Sequence, residues 1–322
     1  MTGRLKLLIA VMAGLSVLAA ACGGGAKGSS SPTTAAAQPQ AAGAAATSDP
    51  NAYGRPELLA ETTWLNGQLN DKSLVIVDLR KKDAYDAGHI PGAVWYDSGK
   101  LKDPDNAVYV IKDTQFAQLV GDIGIDNSKT VVVYDDNAGL SSTRFWWVLW
   151  YYGDQNGKVL NGGFPKWQKE NLPTSKDAPT VQKAVFKAVA DPSAISTMDA
   201  VKQKSAAKDP NVVILDVRTT AEYTGADVRS AKGGHVPQAI NLDYQRSMSD
   251  SDPKVWKSAA ELRKQFEQAG VKPGAEVITY CQTGIRAAHS FFTLMLLGYK
   301  TVHNYDGSWG EWGNNKDTPI AQ

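Results

Sequence analysis

Leu74-Val75-Ile76-Val77-Asp78-Leu79-Arg80 and Val212-Val213-Ile214-Leu215-Asp216-Val217-Arg218 are two versions of one pattern, an apolar run closed by Asp-x-Arg. A tyrosine follows each aspartate by seven residues, at Tyr85 and Tyr223. His89-Ile90-Pro91 comes four residues after the first tyrosine, and His235-Val236-Pro237 comes twelve after the second. The second copy therefore carries an eight-residue insertion, Ala226 to Gly233. The spacing from Asp78 to Asp135 and from Asp216 to Cys281 differs by the same eight residues, so one insertion accounts for the whole offset. An internal repeat of this length is a duplicated domain.

The segments between the landmarks repeat as well. Phe116, Leu119, Val120 and Ile123 have helical spacing before Gly124, as Leu262, Phe266 and Ala269 do before Gly270. Strand-like runs follow, Val131-Val132-Val133-Tyr134 and Val277-Ile278-Thr279-Tyr280, and each breaks into a polar loop and an apolar helix. Strands alternating with helices predict an α/β fold with a largely parallel sheet flanked by helices, present twice. Trp146, Trp147 and Trp150 read as core or interface residues of the first copy.

The chain has 322 residues, 43% of them apolar and 21% charged, enough for two domains with their own cores. Lys+Arg (34) nearly balance Asp+Glu (33), leaving +1, so no global charge points to nucleic acid. Two cysteines exclude a disulfide framework and an all-cysteine zinc site. Four dispersed histidines, His89, His235, His289 and His303, do not suggest a metal site.

The first cysteine belongs to the N-terminus. Arg4 and Lys6 precede an uncharged stretch from Leu7 to Ala21, too short to span a bilayer, in the order of an export signal. Leu18-Ala19-Ala20-Ala21-Cys22 resembles the lipobox of bacterial lipoproteins, with the leucine one residue further from the cysteine than is usual. That resemblance implies removal of residues 1–21, lipidation of Cys22, and a protein anchored to the outer face of the cell membrane or envelope. Residues 22–52 are rich in Ala, Gly, Ser, Pro and Gln and cannot bury a core. As a coil they reach on the order of 30 Å. The expected folded units are 53–175 and 193–322, joined by a linker at 176–192 that begins in the exposed stretch Pro173 to Pro179.

Cys281 ends the central strand of the second copy and opens the loop Cys281-Gln282-Thr283-Gly284-Ile285-Arg286 before a helix. The carboxyl end of a strand in an open α/β sheet is where ligands collect. Backbone N–H groups of a tight glycine loop, the positive end of the following helix and the Arg286 charge would together favour a thiolate over a thiol. The expected result is a nucleophilic cysteine in an anion-binding cup.

Tyr85-Asp86-Ala87-Gly88-His89-Ile90-Pro91-Gly92-Ala93 and Val302-His303-Asn304-Tyr305-Asp306-Gly307-Ser308-Trp309-Gly310-Glu311-Trp312, together with Cys-x-x-Gly-x-Arg, resemble the signatures of the rhodanese family of sulfurtransferases. The resemblance covers nearly all of the chain from Tyr53 onward. It implies two tandem rhodanese-like domains, with Cys281 cycling through a persulfide and Gln282, Thr283, Gly284, Ile285 and Arg286 binding substrate, without metal or organic cofactor. Asp135 stands where Cys281 does in the other copy, and a carboxylate cannot carry sulfane sulfur, so the first domain is expected to be structural or substrate-shaping. Arg144 is expected at the interdomain cleft, and Arg229 and Lys232 of the insertion are candidates for positive charge near it.

The expected reaction moves sulfur from thiosulfate to cyanide or a thiol. Mercaptopyruvate is the alternative donor, although family members that use it have a Cys-Gly-Ser/Thr-Gly-Val loop, and vertebrate-type members have an arginine where this chain has Glu222. Two readings of other classes are a non-catalytic envelope sulfur carrier or binding module, and a phosphatase. Cell-cycle phosphatases of this fold need five residues between cysteine and arginine, and this loop has four.

Overall fold

The computed structural model describes residue 49 and residues 51–322. The expected export signal, Cys22 and most of the expected tether lie outside the described residues. Among the described residues, no helix is long and apolar enough to cross a membrane.

The first domain contains strands β1 (Leu59–Ala60), β2 (Leu74–Asp78), β3 (Val94–Trp95), β4 (Thr130–Tyr134) and β5 (Gly157–Leu160). The second contains β6 (Ile195–Ser196), β7 (Val212–Asp216), β8 (Ile240–Asn241), β9 (Glu276–Tyr280) and β10 (Val302–Tyr305). Each set forms a parallel sheet, in the orders β1-β5-β4-β2-β3 and β6-β10-β9-β7-β8. Even the register is duplicated, with Leu74 opposite Thr130 and Asp78 opposite Tyr134 in one sheet, Val212 opposite Glu276 and Asp216 opposite Tyr280 in the other. β4 and β9 are apolar runs because both their faces are covered, as parallel sheets require.

The Asp-x-Arg repeat is structural. The Asp78 carboxylate accepts from Arg80 Nη2 at 2.6 Å and from the Tyr134 hydroxyl at 2.6 Å, and Arg80 also donates to the Gly88 carbonyl at 2.7 Å. Asp216, Arg218, Tyr280 and the Gly234 carbonyl repeat this arrangement. A buried ion pair with every strong lone pair answered ties two strand ends to the His-x-Pro turn. His89 and His235 stack on Tyr85 and Tyr223 and hydrogen-bond their carbonyls, which fixes the turn.

One face of each sheet carries a small core of its own. The other faces share a core across the domain boundary, where helix Leu140–Tyr151 packs against helix Ile285–Leu297. Trp146, Trp147 and Trp150 are all buried, and Trp146 meets Phe292 edge-on at 4.9 Å. The connecting segment is fastened to the first domain: the N–H groups of Ala184, Val189 and Asp191 donate to Gly121, Tyr152 and Tyr151 carbonyls, and Phe186 is buried against Phe116.

Candidate active site

Cys281 follows β9 directly and is buried. Its position is set by the turn after β10. The Cys281 N–H donates to Ser308 Oγ at 3.1 Å, and the carbonyls of Cys281 and Gln282 accept from the N–H groups of Trp309 and Gly310. Ser308 holds a left-handed φ of +53°, where a non-glycine residue is strained by about 1 kcal/mol or more. That conformation belongs to the turn that delivers its hydroxyl to the cysteine backbone.

Gly284, at φ +76°, begins the helix Ile285–Leu297. A Cβ there would come within 2.3 Å of Asp306 Oδ1, so only glycine fits. The loop carbonyls are engaged from outside: that of Gly284 accepts from Asn304 Nδ2 at 3.1 Å and from Arg144 Nη1 at 3.4 Å, and that of Thr283 accepts from Lys102 Nζ at 2.7 Å. Among the described residues, no acceptor occupies the backbone N–H groups of residues 283–287. They form the first turn of a thirteen-residue helix and the loop leading to it, which is an anion-binding arrangement.

The first domain shows the same cup occupied. Asp135 Oδ1 accepts from the N–H groups of Asn137 and Gly139, both at 2.9 Å, and Oδ2 accepts from the Ser142 N–H at 2.8 Å and its Oγ at 2.9 Å. Gly139, at φ +82°, is the counterpart of Gly284, which makes this loop one residue longer than the Cys281 loop. The duplicated loop has closed upon its own carboxylate.

Arg286, expected from the sequence to bind substrate, is engaged by a carboxylate of its own domain. Its two terminal nitrogens donate to Glu222 at 2.7 and 2.8 Å. The Glu222 side chain is fully buried and accepts in addition from the N–H and hydroxyl of Thr219. Burial opposes the Glu222 charge, but Arg286 and Thr219 outweigh it and bring the carboxyl down to about 2. Burial likewise opposes the Arg286 charge, and the Glu222 hydrogen bond and the Cys281 charge more than offset it, raising its pKa. Arg286 thus feels the cysteine while being held by a carboxylate.

Arg144 lies at the domain boundary as expected, but buried there, donating to Asp306 Oδ1 at 2.5 Å. Arg229 is half exposed, paired with Asp227, with Nη1 3.8 Å from Glu222 Oε1. The insertion touches the catalytic loop through its backbone and Ser230, which accept from Gln282 Nε2. Lys232 does not supply cleft charge: its Nζ donates to the carbonyls of Asn315, Lys316 and Thr318, and so pins the C-terminal segment. Among the described residues, no group of histidine, cysteine, aspartate and glutamate comes together to hold a metal ion.

A cysteine at the carboxyl end of a parallel sheet, beside a loop of backbone N–H groups, in one half of a duplicated α/β fold defines a class of two-domain α/β proteins. The chain belongs to the rhodanese family: the model of the rhodanese-like domain matches at residues 61–170 and again at 197–315. It is similar to the thiosulfate sulfurtransferase of Azotobacter vinelandii, 33% identical over 273 residues covering 82% of this chain and 96% of that one. The thiosulfate sulfurtransferase of Corynebacterium glutamicum is 34% identical over 293 residues, with 86% and 95% covered. The sulfur carrier protein TtuD of Thermus thermophilus is 31% identical over 283 residues, with 84% and 98% covered. Among solved structures, the anaerobic ergothioneine biosynthesis enzyme of Chlorobium limicola shares the fold, with a TM-score of 0.74 at 24% identity over 83% of this chain and 70% of that one.

Proposed function

We propose that this rhodanese-family sulfurtransferase takes sulfur from thiosulfate and passes it to cyanide or a thiol, with Cys281 as carrier. The Cys281 thiolate attacks the outer sulfur of thiosulfate, the S–S bond breaks, and sulfite leaves with the bonding electrons. The acceptor then attacks the terminal sulfur of the Cys281 persulfide and restores the thiolate. The N–H groups of residues 283–287 stabilise the anionic donor, the developing sulfite and the persulfide. The observation that carries this reading is the contrast between the two cups, one filled by Asp135 and the other left open beside Cys281.

The names of the relatives favour thiosulfate as the donor. The Glu222 fork on Arg286 favours it over mercaptopyruvate, because a carboxylate-bearing donor calls for a free guanidinium. By the reading of residues 1–52, the enzyme works outside the cytoplasm, anchored through lipid on Cys22.

Sulfite release and thiocyanate formation by the purified protein, followed with thiosulfate and mercaptopyruvate in parallel, test the proposal. Faster turnover of mercaptopyruvate would replace the donor, and no turnover of either would favour a sulfur-carrier or binding role.

A further inference from the structure

Lys102 follows a short 3-10 turn, Ser98–Leu101, of the domain that has no cysteine, and it reaches the catalytic loop of the other domain. Its Nζ donates to the Thr283 carbonyl at 2.7 Å and to the Val108 carbonyl of its own domain at 3.1 Å, and it stands 3.6 Å from Asp306 Oδ1. The side chain is 15% exposed, so this is a built contact across the domain boundary.

The geometry of that contact bears on the cup. In a trans peptide the carbonyl and the N–H of the next residue point in opposite directions. Lys102 draws the Thr283 carbonyl toward the first domain, which turns the Gly284 N–H the other way. Arg144 and Asn304 act in the same manner on the next peptide, whose N–H belongs to Ile285. These are two of the N–H groups without a protein acceptor among the described residues.

We propose that Lys102 is a positioning residue which the first domain lends to the active site: as a cation it holds the Thr283–Gly284 peptide in the orientation that presents its N–H to the anion on Cys281, and as a neutral amine it holds that peptide more weakly. The inference rests on the reading of Cys281 as the sulfur carrier. The groups facing Lys102 are Asp306 after β10, Arg144 on the helix Leu140–Tyr151, and Cys281 itself; Tyr109 and Glu311, hydrogen-bonded at 2.5 Å, stand near Asp306. Burial, and then repulsion by Arg144, push the lysine down to about 8, while Asp306 and Cys281 act in its favour. The cation is therefore present at pH 7 and lost as the pH rises through about 8. Thiosulfate does not titrate in this range.

The experiment is single-turnover sulfite release from thiosulfate by the full-length protein between pH 6 and pH 10, with no acceptor present. Lys102→Met and Lys102→Gln are compared with the wild type, alongside melting temperatures and the rate of Cys281 alkylation by iodoacetamide at pH 7. The wild type should show a falling limb near pH 8. Both variants should melt within a few degrees of the wild type, lack that limb, and release sulfite about tenfold more slowly at pH 7, Lys102→Gln being the faster of the two. Alkylation should slow severalfold in Lys102→Met. A falling limb that survives in Lys102→Met, or rates of release and alkylation within twofold of wild type, would overturn the proposal. If the wild type releases no sulfite from thiosulfate, the donor assignment fails by itself, and the alkylation rates still decide the role of Lys102.

Discussion

Removing Arg286 tests how the active-site loop is held. Arg286→Ala leaves the Glu222 carboxylate buried with only Thr219 as partner. Two routes give the magnitude. The drop of Glu222 from the ordinary 4.5 to about 2 corresponds, at ~1.4 kcal/mol per pH unit, to about 3–4 kcal/mol. Truncating one partner of a buried pair costs about 3–5 kcal/mol, and the 17% exposure of Arg286 and the nearby Arg229 move this case to the lower end. With part of the effect due to Thr219, Arg286→Ala should lose about 2–3 kcal/mol, or about 5–10 °C in melting temperature. The sign follows from a folded value below the ordinary one: the contribution is complete above about pH 4.5 and is lost as the pH falls toward about 2. Urea unfolding of wild type, Arg286→Ala, Glu222→Gln and the double variant at pH 7, 5 and 4 gives the coupling. About 2 kcal/mol is expected at pH 7, shrinking at pH 4. Sulfite release should also fall in Arg286→Ala, because the loop loses its tie to Glu222 and the cation near Cys281. A coupling under about 0.5 kcal/mol, the size of a surface pair, together with wild-type turnover would refute the reasoning.

Cys281→Ser should abolish sulfite release entirely, and residual turnover above background would place the carrier elsewhere. Asp135→Ala should retain sulfur transfer within a few-fold while losing on the order of 3 kcal/mol in urea unfolding, because four donors lose their carboxylate acceptor; loss of activity with unchanged stability would contradict this. Cys22→Ala should shift the protein from the membrane to the soluble fraction with its folded domains intact, and unchanged fractionation would remove the lipid anchor.

The architecture was legible because it is written twice. Two apolar strands with the same Asp-x-Arg ending and two with the same terminal tyrosine identify β2, β7, β4 and β9, and their registers coincide. The outer strands β1, β3, β6 and β8 were not legible, since two residues carry no periodicity and exist only as partners of longer neighbours. At the site, Cys281 and Gly284 announce themselves by position and backbone need. The partner of Arg286 was within reach, because Thr219 and Glu222 have the spacing of a capping box, which points the glutamate back to the start of its helix. Nothing local marks Lys102, whose partner Thr283 lies 181 residues away on another domain. Lys232 shows the reverse error: a charge in an insertion reads as cleft-facing until the carbonyls that bind it are seen.

The duplication also accounts for why a domain without a cysteine remains part of the site. Arg144 and His289 hold corresponding places, five residues beyond Gly139 and Gly284, and each reaches across the boundary to the other domain's loop, Arg144 to the Gly284 carbonyl and His289 to the Ala138 carbonyl at 3.2 Å. The two contacts differ in charge. Arg144 is a permanent cation, whereas burial pushes His289 down to about 4, so its ring is neutral near pH 7. The loop that receives no charge from its neighbour is the one whose N–H groups already hold the Asp135 carboxylate. The loop that receives Arg144 and Lys102 is the one whose N–H groups have no protein acceptor among the described residues and whose cysteine is the proposed sulfur carrier. Cationic reach from the first domain is thus directed to the cup that, on the proposed mechanism, receives and releases a negative charge, and a neutral contact serves the cup that holds its own carboxylate.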